Sequence, residues 1–403
     1  MDEIILSVLN IAAPQAVDMT LYRCSLVGAL SLMLFFSVTF IFRPFPEGEE
    51  YRRYGQARCR LGLALLALSA NYAVHLFWAP RFSEIHWTIL MNIDTYYLAA
   101  WLFGSSMLNL LSHGFNTRRR DIINVGSWLL FCTVTVALMA VTTSSMGRTV
   151  LLLISSLLFM LYTLRLALRL LDSYRRAVQL LDSYYSDDVA AYVRWMSVFT
   201  YLAVFYGIGQ GIFTFIPDRY VFLWILSSIP FYSYGYLSYI NYFLGVKKVD
   251  EGLNSTELPD AIPVQNISPA VQKNDEKCCC LTTEEVASED SLVGERLERW
   301  IANRAFSQQG LTIVQLAQEI CTNRTYLSAY INTHYQVSFR EWINSLRVDY
   351  AKQLLASDPN VSVGDVAQRV GYVSLSSFIR AFTTCEGTNP GRWRKDNSSI
   401  VGM

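Results

Sequence analysis

Seven apolar runs dominate the first 246 residues: Cys24–Phe42, Leu61–Ala79, Trp87–Leu111, Ile122–Val141, Val150–Leu171, Met196–Ile216 and Val221–Leu244. A helix needs roughly 17–25 such residues to cross a bilayer. Most of these runs lack the polar face that a surface helix of a soluble domain carries. The pattern predicts a seven-span helical bundle over residues 1–246. Periodicity then stops, and residues 247–290 carry Pro259, Pro263, Pro269 and a majority of acidic charges. That composition predicts a flexible acidic linker; a chain of about 44 residues has a root-mean-square span of roughly 35 Å. From Ser291 to the end at 403, short amphipathic helical periods resume. The expected fold class is all-α throughout.

Charge adds orientation. Acidic and basic side chains balance over the whole chain, 33 of each, so net charge names no partner. The arginines, however, alternate along the connections. Arg43, Arg52, Arg53, Arg58 and Arg60 lie between runs one and two, and Arg118–Arg120 between three and four. The end of run five and the long connection after it carry Arg169, Arg175, Arg176 and Arg194, whereas the intervening connections carry one arginine each (Arg81, Arg148 and Arg219). The positive-inside rule then puts the N-terminus outside and the segment after run seven in the cytoplasm, as expected for a bacterial inner-membrane protein. An opening of Met-Asp-Glu without basic residues argues against a cleaved signal peptide.

Composition also limits chemistry. No lysine falls in any apolar run, which excludes a retinal-type Schiff base there. The eight cysteines show neither a disulfide framework nor zinc-ligand spacing. The adjacent Cys278, Cys279 and Cys280 diverge too much to wrap one metal, and read as an exposed cluster, with redox chemistry or lipid attachment as the alternative. No catalytic constellation, metal site or cofactor motif is present. Asn71, His75, Asn92, Asp94 and Gln210 are polar residues in the outer halves of their runs. Such groups are costly facing lipid. Asn71, His75, Asp94 and Gln210 are the candidate sensing residues for an unidentified signal ligand; the bland alternative is hydrogen bonding between helices. His75, Asp94 and Gln210 are expected to face one another. Beyond run five, Leu170, Tyr174, Val178 and Leu181 recur at helical spacing, predicting a helix that continues to a turn near Ser186–Asp188. It reads as an amphipathic connector lying on the membrane, with transmission of motion or contact with a second protomer as alternatives.

In the C-terminal part, Thr312–Gln315 and Ser338–Glu341 read as capping boxes, and Asn323, Ser362 and Ser374 as helix starts. Leu316-Ala317 maps onto Val366-Ala367 at an offset of 50, and Leu327 and Ile331 onto Phe378 and Phe382 at 51. Two copies of helix, tight turn and helix make a double helix-turn-helix. Leu316-Ala317, Tyr326-Leu327-Ser328, Arg347, Val366-Ala367, Val370-Gly371-Tyr372, Ser377-Phe378, Arg380, Phe382, Pro390 and Trp393-Arg394 resemble the DNA-binding domain of the AraC/XylS family of bacterial transcription regulators. The resemblance covers roughly Leu292–Lys395, and with the membrane half the chain looks like the membrane-embedded members of that family.

The resemblance implies double-stranded DNA as partner, with the second helix of each copy entering a major groove. The outward positions are Arg324, Thr325, Ser328 and Ala329 on the first and Leu375, Ser376, Ser377 and Arg380 on the second. Ala329, Asn332, Thr383 and Thr384 stand where family members often carry basic residues. Twelve basic and nine acidic side chains in 291–403 leave an excess of three, so binding per monomer is modest and favours a homodimer or clustered sites. The expected function is a membrane-tethered, one-component transcription regulator. The rivals are a transporter with a regulatory DNA-binding tail and a passively anchored transcription factor.

Overall fold

The computed structural model describes residues 19–46, 48–112, 118–213, 220–254, 283–358 and 360–401. Every regular element among them is helical; the one extended pairing is an isolated bridge between Tyr185 and Thr312. The chain forms two compact units. The first takes the described residues up to Ala177 together with Ala191–Leu253, and the second takes Val178–Ala190 and the described residues from 254 onward.

The described part of each apolar run falls almost wholly in a long helix: α1 (Met19–Phe42), α2 (Glu49–Trp78), α3 (Ile85–Leu111), α4 (Arg118–Val141), α5 (Ser145–Tyr184, which from Val178 on belongs to the second unit), α6 (Ala191–Phe213) and α7 (Val221–Tyr242). By length and composition, α1, α4, α5 and the Tyr51–Trp78 part of α2 can cross a membrane. Helix ends follow local chemistry. At the end of α2, Ala79 takes a left-handed φ of 45° and its N–H closes on the His75 carbonyl; Pro80 cannot continue the ladder. Small residues let the helices approach closely. Gly62 of α2 faces Ile41, where an added Cβ would come within 2.6 Å, and Ser37 Oγ donates to the Gly62 carbonyl (2.8 Å). Ser106 Oγ donates to the Ala57 carbonyl (2.8 Å), tying α3 to α2. Phe36 stacks on Tyr236 at 4.1 Å between centroids, joining α1 to α7.

Two boundaries differ from the sequence expectation. Arg52, Arg53, Arg58 and Arg60 lie within α2, not in a loop before it. Arginine and glutamate are good helix formers, and an apolar window stops at the first of them while the backbone does not. Arg60 pairs with Asp121 of α4 at 2.8 Å, and Arg53 pairs with Asp250. The expected linker 247–290 is helical at both ends: α8 covers Val246–Asn254 and α9 covers Thr283–Ala302. Val246, Val249 and Leu253 bury one stripe of α8, a periodicity hidden by the charges of its other face. Residues 255–282, including the three prolines and Cys278–Cys280, lie outside the described residues.

In the second unit, α10 (Ile313–Glu319) and α11 (Arg324–Tyr335) form one helical pair, and α13 (Val363–Arg369) and α14 (Leu375–Glu386) another. The 19-residue α12 (Phe339–Ser357) joins them and α15 (Pro390–Val401) follows. The start of every helix from α10 to α14 is capped by the side chain expected. Thr312 and Ser338 form full capping boxes with Gln315 and Glu341. Asn323, Ser362 and Ser374 accept from the N–H groups of Tyr326, Asp365 and Ser377. Each cap contributes on the order of 1 kcal/mol. Val348, Ala351, Leu355, Val366, Val370, Phe378 and Phe382 bury the second copy's core around α12, so α12 supports the pair that follows it as well as the one before.

Candidate functional site

The capped N-terminus of α11 exposes Thr325 and Ala329, with Arg324 and Ser328 half-buried. On α14, Leu375, Ser376 and Arg380 are exposed. Ser377 is partly committed to the cap, since Ser374 Oγ donates to its hydroxyl at 2.9 Å. Leu375 adjoins the exposed Val373 and Ile379, an apolar edge able to meet thymine methyl groups. Both second helices thus offer short polar side chains and one arginine.

Three further arginines were not among the expected DNA-contacting residues, although Arg347 and Arg394 belong to the family resemblance. Arg347, on α12, is fully buried. Its Nε donates to the Phe306 carbonyl (2.9 Å) and its Nη2 to the Gln308 carbonyl (2.7 Å). Asp187 Oδ1 lies 3.6 Å from Nη1. Burial lowers its guanidinium pKa, and the Asp187 charge opposes that shift. Arg347 is therefore a structural pin between α12 and the Phe306–Gln308 segment. Arg340, at the start of α12, pairs with Asp182 (2.8 Å) and Asp188 (3.2 Å). Arg394 Nη1 donates to the Val361 carbonyl (2.6 Å), closing the turn before α13.

The acidic turn after α5 belongs to this unit. Tyr184, Tyr185 and Ser186 are buried in it, and the Ser186 N–H donates to the Leu311 carbonyl (3.0 Å). Arg380 Nη1 donates to Asp188 Oδ2 at 2.7 Å. The Arg324 guanidinium sits over the Tyr184 ring, 5.2 Å from its centroid. The connector expected to lie on the membrane is therefore, from Val178 to Ala190, packed with the C-terminal helices. No periodicity in that segment signals this; three aspartates in a short stretch are the only trace.

In the first unit the candidate sensing residues divide. Asn71 Nδ2 donates to Asn92 Oδ1 (3.0 Å), and His75 Nε2 lies 2.9 Å from the same oxygen. Tyr22 Oη reaches His75 Nδ1 at 3.3 Å. One arrangement satisfies all three contacts, with the proton on Nε2 and Tyr22 donating to Nδ1. Tyr22, His75 and Asn92 border a cavity also lined by Arg81, Tyr96 and Trp224. Asp94 does not join them. It faces α4, where Trp128 Nε1 donates to its carbonyl (2.9 Å) and the Cys132 thiol lies beside its carboxylate. Two residues turn a helix by about 200°, so Asn92 and Asp94 point to opposite sides. The expected convergence of His75 with Asp94 is corrected accordingly; the Gln210 side chain lies outside the described residues.

Two helical pairs joined by one long helix define the C-terminal part as a double helix-turn-helix domain. Residues 316–396 match the family described as a helix-turn-helix domain. The chain is 35% identical over 86 residues to the raffinose operon transcriptional regulatory protein RafR of Pediococcus pentosaceus, covering 21% of this chain and 31% of that protein. It is 33% identical over 90 residues to the HTH-type transcriptional regulator YtdP of Bacillus subtilis, 22% of this chain and 12% of that protein. With the melibiose operon regulatory protein of Escherichia coli the identity is 30% over 87 residues, 22% of this chain and 28% of that one. The chain thus spans less than a third of the length of these three relatives. Among solved structures, the C-terminal domain of AraT, a response regulator from Geobacillus stearothermophilus, is 28% identical, with 26% of this chain and 84% of that chain covered and a TM-score of 0.24. The C-terminal domain is a helix-turn-helix domain of the AraC/XylS kind.

Proposed function

We propose that this protein is a membrane-tethered, one-component transcription regulator: its helical N-terminal unit sits in a bacterial inner membrane and its C-terminal domain binds duplex DNA in the cytoplasm. The observation that carries the DNA reading is the duplicated helix-turn-helix with an arginine on each second helix, Arg324 half-buried and Arg380 exposed. The helix α12 that joins the two pairs would hold their second helices as two reading heads about one DNA turn apart. The membrane reading is supported by apolar side chains that α4 and α5 leave exposed, among them Leu130, Val134, Leu138, Leu157 and Leu161. A surface of that extent is unfavourable in water and ordinary in lipid. Signal input is assigned to the Asn71–His75–Asn92 cluster, and the modest charge of the domain favours paired or clustered binding sites.

A genome-wide map of DNA cross-linked to the full-length protein tests this reading. Discrete sites that vanish in Arg380→Ala support it; a map with no enriched sites overturns it.

A further inference from the structure

Three groups at the end of α5 and in the turn after it, Asp182, Tyr184 and Asp188, meet arginines of the C-terminal domain in an order that matters for DNA. Asp188 takes a hydrogen bond from Arg380 on the second reading helix (2.7 Å) and pairs with Arg340 (3.2 Å). Asp182 pairs with Arg340 (2.8 Å), and Tyr184 lies under Arg324 of the first reading helix. One short segment therefore engages both reading helices and the start of the helix between them. Asp188 is only 8% exposed while Arg380 is 54% exposed, so the turn inserts its carboxylate and leaves part of the guanidinium at the surface.

Charge counting agrees. Segment 178–190 contains three aspartates and no basic residue, which equals the basic excess of three in 291–403. With the turn in place the formal charge of 178–190 and 291–403 together falls to zero, which weakens the positive field on which non-specific affinity for a phosphate backbone depends. A carboxylate and a phosphate oxygen also compete for the same guanidinium donors. The seat is specific in the backbone too, through the Ser186 N–H on the Leu311 carbonyl and the Tyr185–Thr312 bridge.

We propose that the acidic turn Asp182–Asp188 is a built-in competitor for DNA, holding Arg380, Arg340 and Arg324 until it is displaced. This rests on the reading of the C-terminal domain as a DNA binder. The turn is continuous in sequence with Ala177 and Ala191, which belong to the membrane unit, so a rearrangement of α5 or α6 reaches it through the chain itself. Exclusion is reciprocal: whatever factor the turn takes from DNA affinity, DNA takes from the seating of the turn.

The test uses the full-length protein in nanodiscs of phosphatidylcholine and a fluorescent 40-base-pair duplex of mixed sequence at fixed ionic strength. Asp182→Asn with Asp188→Asn removes the two carboxylates. Glu295→Gln with Asp396→Asn is the control for charge alone, because those groups make exposed ion pairs within their own helices. The expected result is binding about tenfold tighter or more in the first double variant and less than about twofold tighter in the control. Independently, amide exchange at Ser186 in the unaltered protein should accelerate when the duplex saturates it. Equal affinities in the two double variants, or Ser186 protection unchanged by saturating duplex, would overturn the competitor while leaving DNA binding intact. If no form binds the duplex, the DNA reading itself fails and the competitor with it.

Discussion

Cys321 and Gly371 occupy the same position in two copies of one turn. Both have positive φ, 54° and 96°. The N–H of Cys321 closes on the Gln318 carbonyl and that of Gly371 on Gln368, each at 3.1 Å. The following residues, Thr322 and Tyr372, close on Ala317 and Ala367 at 2.8 and 2.9 Å. The duplication thus extends from the hydrophobic pattern to the individual hydrogen bonds of the turn.

The two positions differ in tolerance. A Cβ on Gly371 would meet the Ser307 carbonyl oxygen at 2.4 Å, so Gly371→Ala is expected to destabilise the domain by about 2 kcal/mol or more, through strain and overlap. Cys321→Gly relieves a left-handed side chain and is expected to be neutral or stabilising by up to about 1 kcal/mol, the unfolded-state entropy of glycine offsetting part of the gain. Amide exchange at Val370 and Tyr372 in the full chain reads the first effect. Unchanged protection in Gly371→Ala would show that the turn rearranges freely.

Arg347→Met removes two donors from the Phe306 and Gln308 carbonyls and the counter-charge from Asp187. Breaking a buried pair from one side costs about 3–5 kcal/mol. Arg347→Lys should recover little, because one ammonium cannot span both carbonyls in the fork geometry. Exchange rates in α12 and α13 provide the measurement; a loss below about 1 kcal/mol in Arg347→Met would remove the pin.

Arg380→Ala should weaken binding to a mapped target by about 1–3 kcal/mol and relax its sequence preference if Arg380 reads a base. Equal weakening on all sequences, with the salt slope reduced by about one, would make it a phosphate contact instead. Titrations of target and scrambled duplexes at several salt concentrations decide between the two.

The arginine alternation predicts an N-outside, C-inside topology. Reporter fusions after Val249 are expected to behave as cytoplasmic and fusions within residues 80–86 as external. The opposite pattern would place the C-terminal domain away from DNA and end the regulatory reading.

His75→Ala and Asn92→Ala break the same hydrogen-bonded cluster, so they are expected to shift transcriptional output in the same direction. Asp94→Asn lies against α4 instead and should leave that output near the unaltered level. Output measured at matched membrane abundance is the check: a large effect confined to Asp94→Asn would move the sensing role to the Asp94–Cys132 contact.

By itself the sequence determined the long apolar helices, the two helical pairs of the C-terminal part with their five helix caps, and the duplication, whereas the charged helix α8 and the start of α9 read as linker. Apolar length defines a span, a Ser, Thr or Asn before an amphipathic period defines a start, and a repeated offset of about 50 defines a copy. It also announced the continuation of α5 as far as the turn near Ser186. The tertiary structure alone decided which polar groups meet. Asn71 and His75 find Asn92 and not Asp94, since two residues on one helix face opposite ways. The Asp188–Arg380 contact joins positions 192 apart in the chain, and no local period encodes such a pair. Side-chain charge is indifferent to sequence distance, so the partners of Asp182, Asp187 and Asp188 emerge only when folding brings the turn and the arginines within reach.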